Sequence, residues 1–352
     1  MTPADLTDLV IRKFDPQTAT TAEFKALNAF VNLIRREGWP SESTTKWDEM
    51  ERSKRFLPSF AERHLWAAWQ GRIVLGLATL DFAHTNHNCH IANFMIEVHP
   101  VMRRRGVARE LLQRVADAAR YANRRLLITW TSSLVPAGAA FMEGICGHMA
   151  LSMCANQLDM RQLNRPLMLK WLARGSELES ELELGFWDGA YPEDDLEAIA
   201  EMHEVMNTMP RGDLEVEDES WTCEQLRELE ATLRNQGTER WTVYARCRAT
   251  GMIAGYTQTF WNHSQPAILN QGDTGVFPAW RKRGLGTWLK AEMIERVLRS
   301  RPEVQRIRTW NAASNEPMIR INQQLGFRVQ HDSLNWQVSL QQVEAYLAAS
   351  RC

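Results

Sequence analysis

A short glycine-containing segment occurs twice in this chain, with its first glycines at Gly106 and Gly284, 178 residues apart. Aligned without gaps, Val98, Pro100, Arg103, Arg105, Gly106 and Leu111 meet Val276, Pro278, Arg281, Arg283, Gly284 and Leu289. An interval of that length is one domain of chain, far longer than a solenoid unit, so the repeat marks a duplicated domain. The length of 352 residues agrees, because a single hydrophobic core rarely organises so long a chain. The expected plan is an N-terminal domain over 1–163, a linker helix and acidic linker over 164–182, and a C-terminal domain over 183–352. Asn164 caps the linker helix with Pro166 in its first turn, and the run Glu177 to Glu183 reads as a solvated face.

The same order of elements surrounds both copies. Two helical stretches come first, Thr21 to Arg36 and Lys46 to Arg55 in one half, Glu193 to Met206 and Thr222 to Arg234 in the other. Hairpin-like strands follow, His64 to Gln70 with Ile73 to Asp81, and Trp241 to Arg248 with Met252 to Trp261. A third strand, Ile91 to Val98 or Ile268 to Phe277, ends at a proline and leads into an amphipathic helix, Arg105 to Ala122 or Arg283 to Arg299. Another strand, Leu126 to Thr131 or Arg306 to Trp310, a short helix and closing strands complete each half. The expected fold class is α+β, two tandem domains, each with a mixed, mostly antiparallel sheet flanked by helices.

Composition narrows the function classes. A hydrophobic share of 44% and a charged share of 24% are those of an ordinary globular chain, and a net charge of −2 provides no field for nucleic acid. Cys89, Cys146, Cys154, Cys223, Cys247 and Cys352 show no zinc-type spacing and read as reduced thiols, with no metal expected. The first ten residues lack the basic and apolar pattern of a leader, and no stretch reaches membrane-spanning length, so a cytoplasmic protein without a membrane partner is expected.

The repeated segment has its own chemistry. Arg281-Lys282-Arg283-Gly284-Leu285-Gly286 lies between a strand and a helix, where backbone N–H groups are free and the helix dipole is positive. Glycines let the backbone approach a pyrophosphate, and arginines add charge-assisted hydrogen bonds. The spacing R-x-x-G-x-G/A is met by Arg281, Gly284 and Gly286 and again by Arg103, Gly106 and Ala108, and it fits neither the dinucleotide nor the Walker pattern.

The run Val276 to Gly286, with Asn311-Ala312-Ala313-Ser314-Asn315, Met318, Asn322 and Leu325-Gly326-Phe327, resembles the acyl-CoA signature of the GNAT superfamily of N-acyltransferases. The resemblance covers nearly the whole chain as two domains in tandem, an arrangement also found in mycothiol synthase-like proteins. It implies a V-shaped opening between two splayed strands that admits the pantetheine arm of acetyl-CoA or another acyl-CoA, with Val276 and Phe277 supplying backbone. It places the pyrophosphate on the N–H groups of Arg283, Gly284, Leu285, Gly286 and Thr287, and Asn311 and Asn315 near the acyl end. Turn formation and helix capping are the alternative roles of those asparagines. The first-half equivalents are Val98, Arg103, Arg105, Gly106, Val107, Ala108 and Arg109, the last matching Thr287.

An amine attacking a thioester needs a base and a group to stabilise the departing thiolate. Many relatives use a tyrosine as the acid; Asn322 stands there in this chain and can donate a hydrogen bond but no acidic proton. Asp273, between Gly272 and Thr274, is the candidate base, with hydrogen bonding at a strand irregularity as its alternative role. In the first half Thr131-Ser132-Ser133 replaces the asparagines, leaving Glu97 and His99 as a conceivable proton-accepting pair. The expected reaction transfers an acetyl or other acyl group to a primary amine of a small molecule or peptide, mainly in the C-terminal domain. The alternatives are mycothiol synthase-like acetylation of a cysteinyl amine and a non-catalytic acyl-CoA sensor. The five acids in Arg211 to Glu219 suggest attraction for a cationic acceptor, or simply a solvated loop.

Overall fold

The structure is a computed structural model that describes residues 8–349 except 41 and 43, so Cys352 lies outside the described residues. It resolves into two compact units, residues up to Ser152 with 212–217 and from Asp332 on, and residues 153–211 with 218–331.

The first unit begins with β1 (Leu9–Lys13), α1 (Thr21–Gly38), α2 (Trp47–Arg55), β2 (Ala61–Gln70) and β3 (Ile73–Ala83). The start of α1 is fixed by a capping box: Thr20 accepts from the Glu23 N–H while the Glu23 carboxylate accepts from the Thr20 N–H. The phenyl and isobutyl groups of Phe24, Leu27 and Phe30 then line one face and are buried against Leu65, Ala67 and Leu77 of the sheet. Next come β4 (Ile91–Val98), α3 (Val107–Tyr121), β5 (Leu126–Ser132) and α4 (Pro136–Gly144). The stripe Leu111, Leu112, Val115 and Ala119 of α3 packs on the opposite sheet face, giving a helix–sheet–helix sandwich.

After α4 the chain runs through β6 (His148–Asp159) and α5 (Arg165–Gly175), then β7 (Leu182–Asp188), α6 (Leu196–His203) and α7 (Cys223–Asn235). The cap of α7 repeats that of α1, with Thr222 and Gln225 exchanging the same two hydrogen bonds. Then follow β8 (Thr238–Cys247), β9 (Ile253–Asn262), β10 (Ile268–Val276), α8 (Leu285–Ser300), β11 (Arg306–Ala312), α9 (Glu316–Leu325), β12 (Arg328–Ser339) and α10 (Leu340–Ala349). Strand order is β1-β2-β3-β4-β5-β12 in the first unit and β6-β11-β10-β9-β8-β7 in the second. All pairing within each unit is antiparallel except β4 with β5 and β10 with β11, so the mixed, mostly antiparallel α+β class holds.

Each unit is closed by a strand and helix that do not continue its repeat directly in sequence. Residues 153–159 of β6 pair with β11, and α5 packs on α8, although both precede the second repeat's first strand. Residues 333–339 of β12 pair with β5, and α10 packs on α3, although both follow the second repeat. The segment read as a linker helix is thus α5, whose Met168 is wholly buried in the second unit's core, and Asn164 caps it by accepting from the Leu167 N–H.

Candidate functional site

In the second unit β10 and β11 pair only where Ile268, Leu269 and Asn270 meet Arg306, Ile307 and Arg308. Beyond that point β10 stays with β9 to Val276 and β11 stays with β6 to Ala312, so the two parallel strands part. A register shift between Gln271 and Thr274 bends β10 at the same place, as a bulge does. The first unit repeats this: β4 and β5 pair only over Ile91 to Asn93 and Leu126 to Ile128. The V-shaped opening is therefore present twice.

The glycine loop that starts the next helix follows each parted strand. Gly284 is left-handed at φ 89° and caps α8 without any side-chain hydrogen bond, which leaves the first-turn N–H groups to an outside acceptor. A Cβ added at Gly284 would meet nothing nearer than Thr287 Oγ1 at 3.8 Å, so the glycine answers a backbone demand and not a packing one. Gly106 is left-handed at φ 84° and likewise uncapped at the start of α3. The preceding Lys282 and Arg104 are also left-handed, at 63° and 61°, although neither is glycine. Leu285 and Val107 point into the cores, Gly286 and Ala108 follow them, and Thr287 Oγ1 donates back to the Gly284 carbonyl at 2.6 Å.

The arginines do something the sequence did not reveal. Arg281 Nε donates to the Val276 carbonyl at 2.8 Å and Nη2 to Thr208 Oγ1 at 2.5 Å. Arg103 Nε donates to the Val98 carbonyl at 3.1 Å and its Nη2 pairs with Glu37 at 2.5 Å. In both copies this arginine ties the end of the parted strand to the unit's N-terminal helical region, to the last turn of α1 through Glu37 and to the helical turn after α6 through Thr208, which accounts for its identity at the two positions. Arg283 pairs with Glu181 and lies over the Trp280 ring, while Arg105 is exposed. Arg109 donates to the Leu347 carbonyl in α10. The Phe277 N–H is bonded to the Ala254 carbonyl, so it and the Val276 carbonyl are engaged within the protein.

Two polar chains flank the second unit's opening. On the α8–α9 side, Lys290 Nζ donates to Asn322 Oδ1 at 2.6 Å, and Asn322 Nδ2 donates to Asn311 Oδ1 at 2.8 Å. Asn156 Nδ2 reaches the same Asn311 oxygen at 3.4 Å, while Asn156 Oδ1 is buried with no partner. Burial holds the Lys290 ammonium down to a pKa of about 7. Asn315 caps α9 by accepting from the Met318 N–H at 3.3 Å, the alternative role foreseen for it. On this side Lys290 is the residue that sequence reasoning missed. Gly286, Lys290, Met293 and Val297 share one helical stripe, so a lysine at an apolar position was the available signal.

On the α6–α7 side, Tyr256 Oη donates to Asp273 Oδ2 at 3.3 Å and lies 3.2 Å from His203 Nδ1. An ionised carboxylate only accepts, so the phenol proton points at Asp273 and the His203 Nδ1–H donates to the phenol oxygen. His203 Nε2 is then a bare acceptor, and it is buried with no partner. Burial raises the Asp273 carboxyl above its ordinary value, partly offset by the Tyr256 bond, and pulls His203 down to about 4, aided by the Arg240 charge. His203 and Tyr256 lie far from the glycine motif in sequence and carried no signal of their own.

The first unit is equipped differently. Burial raises the Glu97 carboxyl, with the Lys54 ammonium opposing, and His99 Nδ1 accepts from the Val101 N–H. Thr131 accepts from the Trp336 indole at 2.9 Å. Of the acidic segment, residues 212–217 belong to this unit: Leu214 and Val216 cover Ile91, Leu126 and Ile128, and Glu217 exchanges hydrogen bonds with Asn88. Glu215 faces Arg125 at 3.7 Å, and Asp218 of the second unit pairs with Arg211 at 2.6 Å, so these acids already have cations within the protein. Among the described residues no three His, Cys, Asp or Glu side chains are placed to hold a metal, and no helix is long and apolar enough to cross a membrane.

No curated protein matches the chain. Among solved structures, a tandem GNAT protein from the clavulanic acid biosynthesis pathway, without AcCoA, is similar over 94% of this chain and 98% of its own at 24% identity and a TM-score of 0.75. A GCN5-related N-acetyltransferase from Sphaerobacter thermophilus is similar over 95% of this chain and 96% of its own at 16% identity and a TM-score of 0.67. At such identities the likeness shows the fold. The sequence itself matches the Acetyltransferase (GNAT) family over residues 28–144 and again over 199–327, each match spanning one of the two glycine loops. With two openings of the kind that binds acyl-CoA across that family, the chain belongs to the GNAT acetyltransferase family and carries its fold in duplicate.

Proposed function

We propose that the protein is an acyl-CoA-dependent N-acyltransferase, with acetyl as the acyl group and a primary amine of a small molecule or peptide as acceptor, and that the chemistry belongs to the second unit. The observation that carries this is the pairing, within one unit, of an uncapped left-handed Gly284 loop with a raised carboxylate at the bulge of the parted strand. The duplicated segments 1–163 and 183–352 each supply one loop, yet only the second has asparagines on one side of the opening and the Asp273–Tyr256–His203 chain on the other.

The residues fit a bound acyl-CoA. The N–H groups of Arg283 to Thr287 face the position of a pyrophosphate, and the orphaned Asn156 Oδ1 offers an acceptor to an amide of the pantetheine arm. Acyl-CoA supplies the activated thioester. Asp273 takes the proton from the attacking amine, directly or through one water, and its raised pKa brings it nearer that task. Tyr256 holds the carboxylate oriented, and His203 Nε2 accepts a hydrogen bond from the acceptor molecule. In the first unit Arg109 is turned to α10, which favours a structural role there. Cys89 and Cys146 are exposed free thiols, and we place the protein in the cytoplasm.

The test is calorimetry with acetyl-CoA, followed by thiol release with a panel of amines. The parent is expected to bind, and Gly284→Glu to lose binding at least tenfold, because bulk and negative charge then occupy the phosphate position on a left-handed backbone. Unchanged affinity in Gly284→Glu removes the site assignment. Binding without thiol release for any amine removes the enzyme.

A further inference from the structure

Lys290 is 1% exposed on the core stripe of α8. Besides Asn322 Oδ1, its ammonium lies 3.9 Å from Met318 Sδ and 5.4 Å from the centre of the Phe327 ring. The charged side chains on the elements around it are Glu316 and Arg320 of α9, Arg306 and Arg308 of β11, Asp159 of β6, Arg165, Lys170 and Arg174 of α5, Asp273 of β10, and Glu239, Arg240 and Arg246 of β8. Arg308 is bonded to Gln157 and Asp159 to Arg161, and among the described residues no carboxylate pairs with Lys290, whose depression comes from burial alone.

The lysine fixes the direction of every bond beyond it. An ammonium has donors and no acceptor, so the Asn322 atom facing it is the oxygen and the amide must turn its Nδ2 away. That Nδ2 donates to Asn311, whose oxygen is therefore used and whose own Nδ2 is left for a partner from the opening. Asn311 stands on β11 beyond the point where the strand has parted from β10.

We propose that Lys290 is the buried cation of a donor chain, Lys290–Asn322–Asn311, which presents the Asn311 side-chain N–H to the sulfur as the thioester breaks. This rests on the acyl-transfer reading above. In that step the amine nitrogen bonds to the acyl carbon and gives its proton to Asp273. The C–S bond breaks with its electron pair on sulfur, and the thiolate takes a proton from solvent afterwards. No proton crosses the amides: the chain contributes a fixed dipole backed by a charge, which is strongest where water is excluded. Lys290 is thus a positioning residue acting through Asn322 and Asn311, on the side where relatives carry a tyrosine. Negative charge developing on sulfur favours the protonated lysine and so opposes the pull of burial on its pKa.

Free coenzyme A tests this without knowledge of the acceptor. Its thiol pKa in the complex is read from thiolate absorbance across pH, in the parent, Lys290→Met, Asn311→Ala and the double variant. Each single change is expected to raise the bound thiol pKa by about one unit, and the double variant to add little, because the two act through one chain. Equal thiol pKa values in the parent and Lys290→Met, with coenzyme A bound to both, overturn the proposal, and so does full additivity. Failure of the parent to bind coenzyme A overturns the acyltransferase reading instead. Methionine fills the lysine's volume, and if Lys290→Met does not fold, Asn311→Ala at the cleft end gives the decisive readout.

Discussion

At Asp273 a strand bulge and the proposed base coincide. The bulge turns the carboxylate toward Tyr256, while burial makes its charge harder to hold and lifts its pKa. The rate should therefore fall as pH drops through a value above the ordinary carboxylate range, since protonation removes the base. Asp273→Asn is expected to lower kcat by about 10²–10⁴-fold and to erase that acid limb. A pH–rate profile checks both, and an acid limb unchanged in the variant would assign it to another group. The glycines and arginines of the loop were legible in the sequence because backbone geometry and duplication leave a fixed spacing. Asp273 was singled out by its glycine-rich setting. His203, Tyr256 and Lys290 were not, because what brings them to the opening is tertiary: a helix end, a neighbouring strand and the inward turn of one helical stripe.

Among the elements, α8 carries the proposed phosphate loop, and α5 packs on α8. Gly175 at the end of α5 lies so close that a Cβ there would sit 2.2 Å from the Trp288 ring, which is 3% exposed one turn into α8. Gly175→Ala must push the indole or separate the helices, and overpacking of this kind costs about 1–3 kcal/mol. Denaturant unfolding should register that loss, and weaker acetyl-CoA binding should accompany it because the shift falls on the loop's own helix. Wild-type stability in the variant would show that the two helices are loosely coupled. Helices and hairpins were readable from periodicity and caps: α1, α2, α7 and β2 to β4 fall near their expected bounds. The edge strands β1 and β7 escaped notice, since β1 is short and half-exposed and β7 begins inside an acidic run.

Taken whole, each unit is completed by a strand and helix encoded outside its own repeat: β6 and α5 between the two repeats for the second unit, β12 and α10 beyond the second repeat for the first. No sequence pattern announced this, because a strand's periodicity says which face is buried and not which neighbour it joins. Residues 183–352 produced alone would lack β6 and α5, leaving the β11 edge and Trp288 uncovered. That fragment is expected to aggregate or to self-associate, as uncovered edges do, and to become soluble when residues 1–182 are made alongside it. Light scattering with and without the second fragment decides the matter, and a soluble monomeric 183–352 would refute it. The same arrangement sets a timetable for synthesis. When β5 leaves the ribosome, its partner in β12 lies about 200 residues downstream, a delay of roughly 10–40 s at ordinary elongation rates. A nascent first unit must wait that long with one edge bare, so the growing chain, more than the finished protein, is where chaperones should matter.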